Sequence, residues 1–404
     1  MRRCLVLAMF GVFGPWFLNG TRAQDATLTP EPLVVGHSVT LRSEVLDEDR
    51  TLLVALPGSY ESRPDRGFPV VYVLDGRSQY LHTTATIDVL SRSGMVPEMI
   101  VIGVANVNRA RDFTAIDPGD GRPGGGATPF LDFLESELVP LVERSYRTLD
   151  HRTLIGHSLG GLLALHALVS RPELFDAVIA ISPALTPDEV EVDGQPAPFT
   201  ERAETLLRGR DSLPRFVYMT MSGGEALEWI DDLDRFRRIL KRHAPNDLEW
   251  ILVDMPDDTH GTTVLRSTDD GLRALYRGWN GAAVFAAGDA NALAPHFRQL
   301  SARLGYDVPV PEEAINRFGY ALLEAGRTRD AITALRFNTD RNQGSPNAHD
   351  SLGEALLADG RVAEAVAQFR VAVELAEGTG HSALEVYRRH LESARARLDS
   401  ESAR

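Results

Sequence analysis

The stretch "TLIGHSLGG" (Thr153–Gly161) places Ser158 between Gly156 and Gly160, behind an apolar "TLI" and ahead of the apolar run "LLALHALV" (Leu162–Val169). A β-rich apolar run that breaks at glycines and resumes with helical spacing reads as strand, sharp turn and helix. Ser158 stands at that turn. It is either a helix cap, the ordinary role of serine there, or a hydroxyl lifted out of the backbone at the top of a sheet.

The surrounding pattern favours the second reading. From about residue 30 to 280, short β-branched runs alternate with longer amphipathic stretches. "TLLVALP" (Thr51–Pro57), "PVVYVLDG" (Pro69–Gly76), "MIVIGVAN" (Met99–Asn106), "TLIG" (Thr153–Gly156), "AVIAISP" (Ala177–Pro183), "RFVYMTM" (Arg215–Met221) and "EWILVDMP" (Glu249–Pro256) read as buried strands bounded by Gly, Pro or Asp. "PFLDFLESELVPLVERSY" (Pro129–Tyr146) and "DDLDRFRRILKRHA" (Asp231–Ala244) carry helical spacing. Such alternation predicts an α/β fold, a mostly parallel sheet with helices on both faces. The Gly- and Pro-rich "DPGDGRPGGGAT" (Asp117–Thr128) is predicted as a loop, either a flexible connection or an active-site loop after a strand's carboxyl end.

After Asn280 the strands stop. "FGYALLEAGRTRDAITALR" (Phe318–Arg336) recurs as "LGEALLADGRVAEAVAQFR" (Leu352–Arg370), with Gly319, Gly326 and Ala331 matched by Gly353, Gly360 and Ala365, each 34 positions on. That period resembles the tetratricopeptide repeat. Residues 281–404 are therefore expected to form a small all-α region. Helical hairpins cannot bury their apolar faces alone, so this array should lean on its neighbour, on a protein partner or on another copy.

The first residues read as a signal peptide, residues 1–23: Arg2 and Arg3, an apolar run from Cys4 to Leu18, and small residues at Thr21 and Ala23 before Gln24. Export to the periplasm or beyond is the expectation. Cleavage there removes three arginines and no acid, taking the formal charge from −15 to −18. A surface this acidic repels phosphate backbones and argues against nucleic acid as a partner. Cleavage also removes Cys4, the only cysteine, leaving no thiol for disulfides, nucleophilic catalysis or metal thiolates.

"GHSLGG" fits G-x-S-x-G in the setting where that motif has mechanical meaning: the glycines allow a sharp strand-to-helix turn that exposes the serine hydroxyl. Serine needs a base, and in the α/β-hydrolase order an acid and then a histidine follow it. Among eleven histidines, His260 lies in "MPDDTHG" after the last core strand, whereas His157, His166 and His243 sit on or beside helices and read as structural. The acid is expected in "SGGEALEWIDD" after "RFVYMTM". Glu225 is the first candidate, Glu228 the reserve, Asp231 and Asp232 further along, and a Ser–His dyad remains an alternative. An oxyanion hole needs two backbone N–H groups, and those of Leu159 and Arg77 are the ones expected to supply it. In "NRARDFT", Arg109 and Arg111 follow a strand's carboxyl end, where either guanidinium could bind a substrate carboxylate or pair with a loop acid.

From about Thr40 to Trp279 the chain resembles the Putative esterase family of α/β-hydrolases, which includes ferric-siderophore esterases and, more distantly, mycolyltransferases. The likeness is carried by "VVYVLDG", "VANVNRARDFT", "GGGATPFLDFLESELVPLVERSYRT", "LIGHSLGGLLALHAL", "PELFDAVIAISPAL" and "PDDTHG". The resemblance implies Ser158 as nucleophile, His260 as base and the amides of Leu159 and Arg77 as oxyanion donors. The family often follows "ISP" with aromatic residues that line its pocket, where this chain has Leu185 and Thr186. The expectation is an exported serine esterase acting on a small-molecule or lipid-like ester, with no cofactor and no metal. An acyltransferase of the same fold, and an inert hydrolase fold serving as a scaffold for its repeats, are the alternatives.

Overall fold

Phe68–Val73 is buried at every position, as a strand covered on both faces requires. In the computed structural model, which describes residues 33–117, 121–185, 189–192, 195–308, 310–379 and 381–402, this segment lies inside an eight-stranded sheet. The first 23 residues, and with them the expected signal peptide, lie outside the described residues.

The elements run β1 (His37–Ser43), β2 (Glu48–Ala55), β3 (Phe68–Val73), α1 (Gly76–Arg92), β4 (Ile100–Val104), α2 (Arg109–Phe113), α3 (Ala127–Phe133), α4 (Val139–Ser145), β5 (Thr148–His157), α5 (Leu159–Ser170) and β6 (Ala177–Ile181). They continue as β7 (Glu189–Val192), β8 (Gln195–Pro198), α6 (Phe199–Arg208), β9 (Phe216–Ser222), α7 (Leu227–His243), β10 (Glu249–Met255) and α8 (Thr263–Leu275). The helical region adds α9 (Ala282–Ala287), α10 (Leu293–Leu304), α11 (Glu312–Glu324), α12 (Thr328–Arg341), α13 (Pro346–Ala358), α14 (Val362–Thr379) and α15 (Leu384–Ser402). Among the described residues no helix is long and apolar enough to cross a membrane.

The sheet order is β1-β2-β4-β3-β5-β6-β9-β10. β1 and β2 form an antiparallel hairpin, β2 meets β4 antiparallel, and every other pair is parallel. All seven anticipated strands form. β1 and the small β7–β8 hairpin were not anticipated; β1 is mostly exposed and carries no continuous apolar run. The Asp117–Thr128 loop is irregular between α2 and its entry into α3, with residues 118–120 outside the described residues, and it is pinned where Gly126 N–H donates to the Arg111 carbonyl at 2.8 Å.

The parallel register places the carboxyl ends of four strands together. His157 pairs with Ile181, Ile181 with Thr220, and Thr220 with Val253, so β5, β6, β9 and β10 open along one edge. Ligands of open α/β sheets bind outside that edge.

Successive side chains of a strand face opposite ways. Val70, Tyr72 and Leu74 join the core beneath α3 to α7, and Val71 and Val73 join the core beneath α1 and α8. The second core does not stop at residue 281. It continues through Leu293, Phe297, Leu300 and Leu304 of α10 to Ile315 and Phe318 of α11 and Ala331 of α12. His151, buried at the start of β5, donates through Nδ1 to the Leu304 carbonyl at 2.9 Å, and Arg303 reaches the Leu275 carbonyl at 2.7 Å and the Arg277 carbonyl at 2.9 Å. The helical region thus packs against the sheet layer.

Within that region α11–α12 and α13–α14 are hairpins built alike. Each first helix ends on a left-handed glycine, Gly326 (φ 73°) or Gly360 (φ 77°). The next amide reaches back into the helix, Arg327 to the Leu322 carbonyl at 2.8 Å and Arg361 to the Leu356 carbonyl at 2.9 Å, which satisfies groups that a helix end leaves open. At the crossings a Cβ on Gly319 would sit 2.6 Å from the Leu335 side chain, and one on Gly353 2.6 Å from Phe369. Replacing glycine by alanine in an open helix interior gains up to about 1 kcal/mol. Here overpacking should outweigh that gain, so Gly353→Ala is expected to destabilise by about 1–3 kcal/mol. Gly344, where an added methyl would meet nothing within 4 Å, is the control, and urea melts of the two alanine variants give the comparison.

Candidate active site

The Ser158 backbone adopts φ 61°, ψ −121°, a positive-φ conformation that costs a non-glycine residue on the order of 1–3 kcal/mol. Three hydrogen bonds hold it there: its N–H donates to the Ile181 carbonyl at 2.9 Å, and its carbonyl accepts from Leu162 at 3.0 Å and Ala184 at 3.2 Å. The turn is tight because residue 156 is glycine. A Cβ at Gly156 would fall 2.1 Å from the Gly160 carbonyl oxygen. Although Ser158 precedes α5, its side chain makes no capping hydrogen bond, so the ordinary capping role of serine is not filled here.

The loop between β10 and α8 carries His260. Its Nδ1 lies 2.8 Å from Glu225 Oε1. The Glu225 side chain is 3% exposed and that of His260 37%, so a buried carboxylate meets an accessible imidazole. Ser222, the last residue of β9, also donates its hydroxyl to Glu225 Oε1. Gly223 brings the two loops together: its N–H donates to the Met255 and Asp258 carbonyls, each at 2.9 Å, and a Cβ would lie 2.2 Å from the Pro256 carbonyl oxygen. Glu228 is exposed at the start of α7 and does not reach His260. Asp231 and Asp232 lie further along the same helix.

His157 also reaches this site, which its place beside a helix did not signal. Its Nε2–H donates to the His260 carbonyl at 2.8 Å, and the two rings lie 4.5 Å apart. Trp229 packs 5.6 Å from the His260 ring. Ser158 follows His157 directly, so this contact ties the serine turn to the base loop. Among the described residues the Ser158 hydroxyl makes no hydrogen bond to His260; such bonds commonly close only when substrate binds.

Leu159 is the first residue of α5 and Arg77 the second of α1, so both amides belong to first turns whose N–H groups have no acceptor within the helix. Asp75 just before takes φ 55°, and a Cβ on Gly76 would lie 2.7 Å from the Gly103 carbonyl carbon, which requires glycine at that bend.

Both arginines of "NRARDFT" are engaged by carboxylates. Arg109 holds Asp75 in a two-point contact, 2.6 and 3.0 Å, and donates to the His157 carbonyl at 3.0 Å. Arg111 pairs with Glu48 at 2.6 Å and Asp112 at 2.7 Å. Asp112 also holds the fully buried Arg50 at 2.8 Å. Leu185 is buried, and Thr186 lies outside the described residues. Among the described residues no group of three or more His, Cys, Asp or Glu side chains is placed to hold a metal ion.

The sheet, its helices and the serine turn at a strand's carboxyl end define an α/β-hydrolase fold, followed by an all-helical region. The chain belongs to the Putative esterase family, which matches residues 43–264. It is similar to the ferri-bacillibactin esterase BesA of Bacillus subtilis, 34% identical over 160 residues that make up 34% of this chain and 55% of the relative. It is likewise similar to the siderophore triacetylfusarinine C esterase of Aspergillus fumigatus, 33% identical over 174 residues, 39% of this chain and 58% of the relative. The chain thus spans somewhat more than half the length of these relatives. A crystal structure of an IroE-like serine hydrolase from Shewanella oneidensis superposes with a TM-score of 0.63 at 26% identity, covering 76% of this chain and 99% of that one.

Two outcomes test the geometry. Glu225→Gln should lower turnover on the order of 10⁴-fold, because an amide selects the wrong imidazole tautomer and cannot stabilise the imidazolium, while Glu228→Gln should change it little. The second concerns pH. Burial first, and the nearby His260 second, push the His157 imidazole down to about 4. The unfolded chain, with a histidine near 6.5, binds that proton first. His157 therefore costs the fold nothing above about pH 6.5, costs progressively more as pH falls toward about 4, and adds no further cost below that. Urea midpoints from pH 7 to 4 should fall more steeply in the wild type than in His157→Gln.

Proposed function

We propose that this protein is a carboxylic ester hydrolase that works through an acyl-enzyme on Ser158. The observation that carries the reading is the strained Ser158 turn one residue past His157, whose ring packs against the base of a His260–Glu225 pair. Strain of this kind persists only where the surroundings hold it, and it gathers at functional sites.

In this mechanism His260 Nε2 takes the Ser158 proton as Oγ attacks the ester carbonyl carbon. Glu225 keeps Nδ1 protonated and stabilises the imidazolium that forms. The amides of Leu159 and Arg77 receive the developing oxyanion. The intermediate collapses, the alcohol leaves with the proton from His260, and water deacylates Ser158 by the same route in reverse.

The similarity to siderophore esterases makes small-molecule esters, ester-linked siderophores first among them, the substrate class we propose. Export rests on the Arg-Arg, apolar and small-residue pattern of residues 1–23. The 34-residue hairpins support a tetratricopeptide-like reading of the helical region, with a protein partner or a second copy as its ligand.

Ser158→Ala should lose on the order of 10⁶ in turnover on any ester the wild type cleaves, as when a nucleophile of a catalytic triad is removed. It should also lose labelling by a fluorophosphonate. A variant that retains a tenth of wild-type turnover overturns the assignment. Product analysis with an added alcohol acceptor separates hydrolysis from acyl transfer.

A further inference from the structure

We propose that Arg109 is a positioning residue that sets the spacing between the two oxyanion-donor turns and that it does not bind substrate. The inference rests on the esterase reading above. Arg109 enters α2 just beyond β4, and its side chain reaches the carboxyl ends of β3 and β5. One guanidinium grips both neighbours: Nε and Nη2 hold the Asp75 carboxylate at 2.6 and 3.0 Å, and Nη2 also donates to the His157 carbonyl at 3.0 Å. Asp75 stands two positions before Arg77, and His157 two positions before Leu159. The bridge therefore joins equivalent points of the two turns whose amides would face the oxyanion.

The surroundings fit a clamp. Asp75 is 7% exposed and left-handed, a conformation that persists in a non-glycine residue only where the surroundings hold it. Its Oδ2 lies 3.2 Å from where a Cβ on Gly160 would stand, which packs the carboxylate against the first turn of α5. Asn106 supplies one more donor to Oδ1. Without Arg109 this buried carboxylate would keep one neutral donor and lose the counter-charge it holds, and a buried charge that loses its partner is strongly destabilised. Arg109 is itself confined, with its guanidinium carbon 5.7 Å over the Phe113 ring. Three of the five guanidinium N–H groups are taken by the Asp75 carboxylate and the His157 carbonyl, and its charge is already matched by that carboxylate.

If the bridge loosens, the two amides separate and the transition state loses stabilisation that the bound substrate never had. A misplacement of about 1 Å can cost on the order of 10²-fold in rate. The test uses full-length Arg109→Met and Arg109→Lys with two esters matched in size, one neutral and one bearing a carboxylate. We expect kcat to fall about 10²-fold on both esters alike with KM little changed, and affinity for a boronic acid, whose tetrahedral adduct puts an anionic oxygen in the hole, to fall in parallel. Arg109→Lys should recover part of the loss, since an ammonium restores the charge but cannot span both partners. Should Arg109→Met not fold, Asn106→Ala removes one donor from Asp75 without unbalancing charge and should lower kcat about tenfold on both esters, less than the loss of an oxyanion donor itself. A loss confined to the KM of the anionic ester makes Arg109 a substrate-binding residue and overturns the proposal, as do variants that turn over both esters like the wild type. A wild-type chain that neither reacts with a fluorophosphonate nor cleaves any ester overturns the esterase reading, and this inference with it.

Discussion

Everything at the candidate site depends on the absence of a side chain at Gly156. Its Cα lies so close to the Gly160 carbonyl that a Cβ would stand 2.1 Å from that oxygen. Only with this approach can β5 turn straight into α5 and leave Ser158 at φ 61°. The turn cannot hold itself, because the conformation is strained. It is held from the side by β6, whose Ile181 carbonyl accepts the Ser158 N–H, and by Ala184 beyond it. The parallel register of β5 and β6 is thus a condition of the serine's geometry as well as of the core.

The second constraint is electrostatic. The chain carries an excess of acid, and several of its acids are taken inside. The buried carboxylates around the site are matched by donors: Asp75 by Arg109 and Asn106, Asp112 by Arg50 and Arg111, Glu225 by Ser222 and His260. A buried ion pair contributes little to net stability compared with well-packed apolar groups, but losing one partner is expensive. Such pairs fix geometry more than they add stability. The segment "NRARDFT" supplies Arg109 to the first of these arrangements and both Arg111 and Asp112 to the second, which is why a short run of charged residues follows β4.

The helical region belongs to the same mechanics. Its α10 packs on the layer formed by α1 and α8, and its contact with His151 lands on β5, the strand that leads to Ser158. The apolar faces that two hairpins could not bury between themselves are covered by α15 and by this layer.

The sequence alone determined what is local. Short, unbroken β-branched runs such as "PVVYV" and "AVIAI" specified buried parallel strands, because a strand covered on both faces is apolar at every position and β-branched residues pack well there. The 34-residue recurrence of Gly319 and Gly353 specified helix crossings, because only glycine admits Leu335 and Phe369 so closely. Glycines around Ser158 specified the turn. What depends on distant residues meeting was decided by the tertiary structure. Glu225 and Glu228 are equivalent by composition, and the Gly223 contact with Met255 and Asp258 turns only the first toward His260. His157 reads as a neighbour of a helix until the loop after β10 brings the His260 carbonyl to its Nε2. Arg109 and Arg111 read alike as candidates for a substrate anion, and the acids that occupy them come from β2, from α2 and from the end of β3. Periodicity and turn chemistry report on neighbours in the chain; the pairing of charges across a sheet edge is fixed by strand order, which no single segment encodes.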